Sequence, residues 1–249
     1  MKFRPSTLGL LFAITFLLVL VFHLPLRWAL PLLPRSLQCQ GAEGSLWSGH
    51  CASLAWSAAG SAMPLGDVNW SMRPARLLRA RLAFDVHVQR GGSQARALAQ
   101  LGFGTLELLE LTAHGPLDPA LVRGFPPGWS GELDVTGARV RLEGGKLTAL
   151  DGSFVARNLV SQQPRPTTWG SYQLRIAPRV GGGLAPGELK DLDGPLQLRG
   201  TLTLATDFSW QLEGGVATRP GADPGLAQQL QYLGAPDAQG LRPFSLAGS

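Results

Sequence analysis

Charge is scarce in this chain: Asp, Glu, Lys and Arg together make up only 16% of it. Lysine is scarcest, with Lys2, Lys146 and Lys190 alone, and arginine supplies the rest of the basic side chains. The formal net charge of +5 is partly the work of Lys2, Arg4 and Arg27, which flank one apolar run. No Lys/Arg cluster exists that could track a phosphate backbone, so no nucleic-acid partner is expected. Histidine is limited to His23, His50, His87 and His114, never in the HxxxH or HExxH spacing of a metal helix. No serine sits in a GxSxG setting. Gly181-Gly182-Gly183 is followed by Leu184, Ala185 and Pro186, not by the Gly-Lys-Ser/Thr of a phosphate loop, and reads as a plain loop. The carboxylates Glu107, Glu110, Asp191 and Asp193 are scattered as on a solvated face. His87 falls on the polar side of an alternating segment. An enzyme is therefore not expected, nor a catalytic residue, a cofactor or a metal.

The 32 glycines and 19 prolines show no three-residue period, which excludes collagen and favours many short elements joined by turns. A length of 249 residues suits one domain or two small ones. Long apolar runs are also few. The only one, Thr7 to Leu24, has 18 residues, which at about 1.5 Å each just spans a hydrocarbon core. Lys2 and Arg4 precede it and Trp28 stands where an interfacial aromatic belongs. A cleaved signal peptide would need small residues near its cut, and His23 to Trp28 offer no such pair. The expected layout is a cytoplasmic tail at 1–6, a transmembrane anchor at 7–24 and an interfacial connector at 25–38. A β-rich domain outside the membrane follows at 39–249, with a sub-boundary near 116–129.

Cysteine occurs twice, at Cys39 and Cys51. The glycines between them allow the segment to fold back as a hairpin, and a structural disulfide is expected. Under the chain-entropy model, closing so short a loop stabilises by about 3 kcal/mol. Two thiolates with only His50 nearby do not complete a tetrahedral metal site.

Period-two alternation dominates the outer part. Leu82, Phe84, Val86 and Val88 share one side, with Asp85, His87 and Gln89 on the other. Leu196, Leu198, Leu202 and Leu204 repeat the pattern, and Phe208, Trp210 and Leu212 resume it after a turn near Thr206 and Asp207, as a hairpin requires. In 131–142 the apolar set moves from Leu133 and Val135 to Ala138, Val140 and Leu142, a parity change that predicts a β-bulge at Gly137. Helical pattern is confined to Pro74–Ala80 and Leu226–Leu233. Segments 131–157 and 194–219 resemble one another. A duplicated antiparallel module is one reading, and the common look of Gly-bounded hairpins is the other. The expected fold is mainly β: a single N-terminal transmembrane helix, then an extended, open and curved antiparallel sheet built of hairpins and meanders.

The apolar run followed by Gly44-Ser45-Leu46-Trp47-Ser48-Gly49, then Trp70 ahead of Pro74, resembles the type II secretion system protein N family, also called general secretion pathway protein N. The ending is similar too, with Leu230, Leu233, Gly234, Pro236 and Gly240 before a last short strand from Phe244. The resemblance implies an accessory inner-membrane component that helps move folded proteins from the periplasm across the outer membrane. It implies a single-pass topology with the N-terminus cytoplasmic and the bulk periplasmic. Its implied partners are the inner-membrane platform subunits and the secretin, and it carries no catalytic residues over. The rival reading is a lipid-handling protein of the AsmA-like or lipopolysaccharide-transport kind. Lipid is then a partner, because alternating Leu-rich strands build a closed core and a greasy groove with the same period.

Overall fold

The computed structural model describes residues 37–58, 61–79, 81–117, 128–162, 166–179 and 183–248, together with Phe12, Thr15, Val19 and Leu26. Those four positions are helical. The expected anchor at 7–24 otherwise lies outside the described residues, among which no helix is long and apolar enough to cross a membrane.

The described chain forms one thirteen-stranded antiparallel sheet whose spatial order is its sequence order. The strands are β1 (Leu37–Gly44), β2 (Ser48–Ala58), β3 (Ser61–Met72), β4 (Leu82–Arg90), β5 (Ser93–Gly102) and β6 (Thr105–Pro116). They continue as β7 (Trp129–Glu143), β8 (Lys146–Ser161), β9 (Thr167–Ile176), β10 (Gly187–Asp193), β11 (Leu196–Leu204), β12 (Trp210–Thr218) and β13 (Arg242–Gly248). The two helical patterns in the sequence become a 3-10 helix over Pro74–Arg79 and an α-helix, α1, over Pro224–Leu230, extended by a 3-10 turn over Gln231–Leu233. Asp223 caps α1 by accepting from Gly225 N–H at 2.7 Å.

Alternation assigns the two faces. Trp70 pairs with Val86, Val86 with Ala97, and Phe84 with Ala99. The apolar row continues through Leu108–Val140 and Val140–Leu150, then Phe154–Leu174, Leu174–Leu189 and Leu202–Leu212 to Leu212–Leu246. One apolar face thus crosses almost the whole sheet. The opposite face carries ion pairs such as Arg139–Asp151 at 2.8 Å and Arg73–Asp85 at 2.6 Å. There the 3-10 helix packs on β4, and Ala83, Leu98 and Gln100 are buried.

Bulges keep the apolar side chains on one side. Against β6, Leu111 pairs with Ala138 and Ala113 with Val135, so β7 inserts one extra residue at the expected Gly137. A second bulge, in β6, was not legible in the alternation: Leu108 pairs with Val140 but Leu111 with Ala138, and Glu110 between them has φ 53°. The adjacent Leu108 and Leu109 then point to opposite faces.

The sheet also curls. Leu147 N–H donates to Thr206 O at 2.9 Å. In a flat sheet β8 and β11 would be three strand spacings apart, about 14 Å. β9 ends at Ile176 and β10 begins at Gly187, so the β7–β8 and β11–β12 tips run past them and meet. Ile176 beside this closure is only 2% exposed, whereas Leu246 on β13 is 55% exposed. Ile176→Ala is expected to lower the unfolding free energy by about 2–5 kcal/mol through transfer and cavity terms. Leu246→Ala is expected to change it by no more than about 0.5 kcal/mol. Urea midpoints of the two variants check this, and equal losses would place the core elsewhere.

Candidate functional site

The expected disulfide is present: Cys39 of β1 and Cys51 of β2 are joined, with Cα atoms 5.9 Å apart. Their strands are linked by the Gly44–Gly49 turn, and Cys51 is 1% exposed. A bulge in β2 sets Cys51 opposite Val68 and Leu54 opposite Gly66, so Cys51 and Leu54 share the apolar face although they are three apart.

The Gly44-to-Gly49 motif is the β1–β2 turn. Gly44 enters it at φ 91°, a conformation open to glycine. Ser45 N–H donates to Ser48 O at 2.9 Å, and Ser48 N–H donates back to Ser45 Oγ at 3.2 Å. These bonds close the loop locally, as serine does in turns. β3 then locks it from the side. Trp70 Nε1 donates to Leu46 O at 3.1 Å, and Met72 N–H donates to Trp47 O at 2.6 Å. Gly49 makes the seat for the indole: a Cβ there would lie 2.4 Å from Trp70 Cζ2 and 2.9 Å from Glu43 O. Pro74 opens the 3-10 helix directly after β3. The turn, the tryptophan and the proline are therefore one unit.

The C-terminal motif residues lie at the opposite end of the sheet. Leu233, Gly234, Pro236 and Gly240 form the exposed stretch between α1 and β13. Arg242 holds it by donating to Gly234 O, and Asp237 Oδ1 accepts from Gln239 and Leu241 N–H at 2.9 and 2.8 Å. The sequence order of the strands keeps the two motif groups apart.

Two recesses adjoin the turn. On the polar face, a space of about 480 Å³ is lined by Glu43, His50, Asn69, Asp85 and His87. His50 Nε2 donates to Asp67 Oδ2 at 2.8 Å, and Asn69 Nδ2 donates to Asp67 Oδ1 at 2.9 Å. On the apolar face, a cavity of about 290 Å³ is lined by Leu26, the cystine and Trp70 among others, with essentially no polar atom. Among the described residues, no group of three or more His, Cys, Asp or Glu is placed to hold a metal.

Elsewhere the charges are paired in ways the sequence did not announce. Asp134 accepts from Arg157 Nε at 2.7 Å and from His114 Nδ1 at 2.6 Å. The Arg157 hydrogen bond first, then that of His114, holds its carboxyl below the usual carboxylate range. Asp191, with Arg219 against it, accepts from Leu198 N–H at 2.7 Å. Burial foremost, then the nearby Asp191 and Asp193, pushes the Tyr172 phenol up to about 12, and its hydroxyl donates to Trp169 O at 2.7 Å.

One open sheet of consecutive antiparallel strands, entered through a Gly-Ser-Leu-Trp-Ser-Gly turn clamped by a tryptophan, is the class of protein that fold and site define. The sequence model of a family described as type II secretion system (T2SS), protein N matches residues 35–245, from just before β1 into β13. The chain belongs to that family. It is 28% identical over 260 aligned residues to the type II secretion system protein N of Vibrio cholerae serotype O1, covering 96% of both chains. No solved structure matches it.

Gly49→Val is expected to cost about 1–3 kcal/mol, because the Glu43 carbonyl is backbone and cannot turn aside. Trp70→Phe is expected to cost about 1 kcal/mol for its lost hydrogen bond. Urea unfolding of both variants tests the unit, and a neutral Gly49→Val would refute the seat.

The Asp134 cluster has a defined pH signature. Its unfolded carboxyl titrates near 3.9 and its folded carboxyl lower, so its contribution is complete above the unfolded value and is lost as pH falls through the folded value. Asp134→Asn is expected to flatten the dependence of unfolding free energy on pH below about 4. An unchanged slope would show that the cluster contributes nothing.

Proposed function

We propose that this chain is an accessory inner-membrane component of the type II secretion pathway, contributing to export of folded proteins across the outer membrane by scaffolding its neighbours. The observation that carries this reading is the extent of the family match, which takes in every strand from β1 to most of β13. The apolar run at 7–24 serves as the single-pass anchor, with its N-terminus cytoplasmic and the sheet in the periplasm. Anchoring raises the local concentration of the sheet near other anchored subunits, so the platform and the secretin are its natural partners.

The means of contact is a sheet edge. Among the described residues β1 and β13 end the strand order with one side unpaired. Pro243 opposite Gly215 has no N–H, so that pair exchanges no ladder bond, and alternation turns the N–H groups of Ser245 and Ala247 outward. Pro243 guards only the start of this edge; beyond it β13 has no lysine and no bulge, which leaves the stretch from Ser245 open to an added partner strand.

A photoreactive side chain placed in turn at Trp47, Trp70 and Trp210 in intact cells is expected to capture platform subunits or the secretin. Ser245→Pro removes an outward donor without touching the β12 ladder, and is expected to abolish capture from Trp210 while leaving the protein folded. Capture of lipopolysaccharide-transport proteins alone would overturn the secretion reading. Unchanged capture by Ser245→Pro would exclude this edge.

A further inference from the structure

We infer that the apolar cavity beneath β1–β5 is a binding site for one acyl chain of a membrane phospholipid. The inference rests on the anchored reading above. Its walls are Leu26, the Cys39–Cys51 cystine, Trp70, Val86 and Ala99, and its volume is about 290 Å³, at the lower limit for small-molecule sites. The lining identifies the guest by what it cannot satisfy. A peptide segment would bring N–H and C=O groups into a space that offers them no polar partner, at a cost of several hydrogen bonds. A hydrocarbon chain brings none. Among the described residues no side chain in the wall is ionisable, and Cys39 and Cys51 are spent on each other.

Position names the source. Leu26 is both a wall of the cavity and only two residues beyond Leu24, the last residue of the apolar run. The cavity is therefore tied to the outer end of the anchor, where bilayer lipid is the most concentrated apolar molecule. From Phe84 and Leu101 the apolar face carries on through Leu106 and Leu142, so a chain longer than the cavity has a surface to follow. This is a site held on the apolar face, separate from the β13 edge proposed for protein partners.

The test uses the full chain reconstituted into vesicles of phosphatidylethanolamine and phosphatidylglycerol doped with a phospholipid bearing a photoreactive group in its acyl chain. Flotation reports anchoring, and mass mapping of adducts after illumination reports the cavity. The expected result is co-flotation with adducts concentrated on Phe84, Val86 and Ala99, well above those on the exposed Phe103 and Leu246. Ala99→Leu fills the space and is expected to lower that labelling by about tenfold, as added methylenes compete for packed volume. A cooperative urea transition close to that of the unaltered chain shows that the variant has folded. Floating protein labelled only in 7–24, or labelled equally on Phe103, Leu246 and the cavity, would overturn the site and leave the anchor standing. Protein that does not float would overturn the anchored reading and this inference with it.

Discussion

The backbone ladder between sequence neighbours is the constraint on which this molecule depends. Each strand pairs only with the one before and the one after it, with no crossover anywhere in the thirteen. Among the described residues no second layer of comparable size covers the apolar face of this sheet. Few large side chains among the described residues are fully buried, and Ile176 and Cys51 head them. Cohesion therefore comes from hydrogen-bond continuity and from cross-strand side-chain pairs, each modest and all dependent on register. A slip by one residue would turn an entire apolar row to the solvated side.

Register is in turn guarded by bulges. At Gly137 and Glu110 an inserted residue changes parity so that the apolar row stays on its face. The bulge between Cys51 and Leu54 does the same beside the cystine. Bulges also bend and twist strands, and the tip-to-tip bond from Leu147 to Thr206 shows the curl of the sheet across four strands.

At the β1 end of the sheet the constraints converge. The cystine joins β1 to β2, the serine-closed turn completes the hairpin, and Trp70 binds that turn to β3 through Gly49 and the Leu46 carbonyl. Under the proposed anchored reading, a rigid first hairpin takes any torque from the tether where it first acts. At the far end, α1 and the Asp237 turn are held by side-chain caps, and β13 is laddered to β12 on one side only. The first hairpin is cross-linked and the last strand has a free edge.

Much of this was legible in the linear chain. The alternation at β4, β11 and β12, the turn at Thr206–Asp207, the Gly137 bulge and the Cys39–Cys51 pairing are local patterns, set by a two-residue period or by a short loop. The motif from Gly44 to Gly49 could be read as a signature, but not why its last glycine is glycine: the indole that forbids a Cβ comes from residue 70. The β6 bulge was hidden because Leu106, Leu108, Leu109 and Leu111 satisfy either parity. Asp134 with His114 and Arg157, or Asp191 with Arg219, could not be paired from sequence, since 20, 23 and 28 residues separate them and only register makes them neighbours. The sequence by itself determined that this is a sheet, where its strands turn and which side chains alternate, because those follow from backbone geometry within a few residues. The tertiary structure alone decided that all thirteen strands join one sheet in chain order, which tips its curl brings together and that an apolar cavity opens beside Leu26, because each depends on atoms brought together from far along the chain.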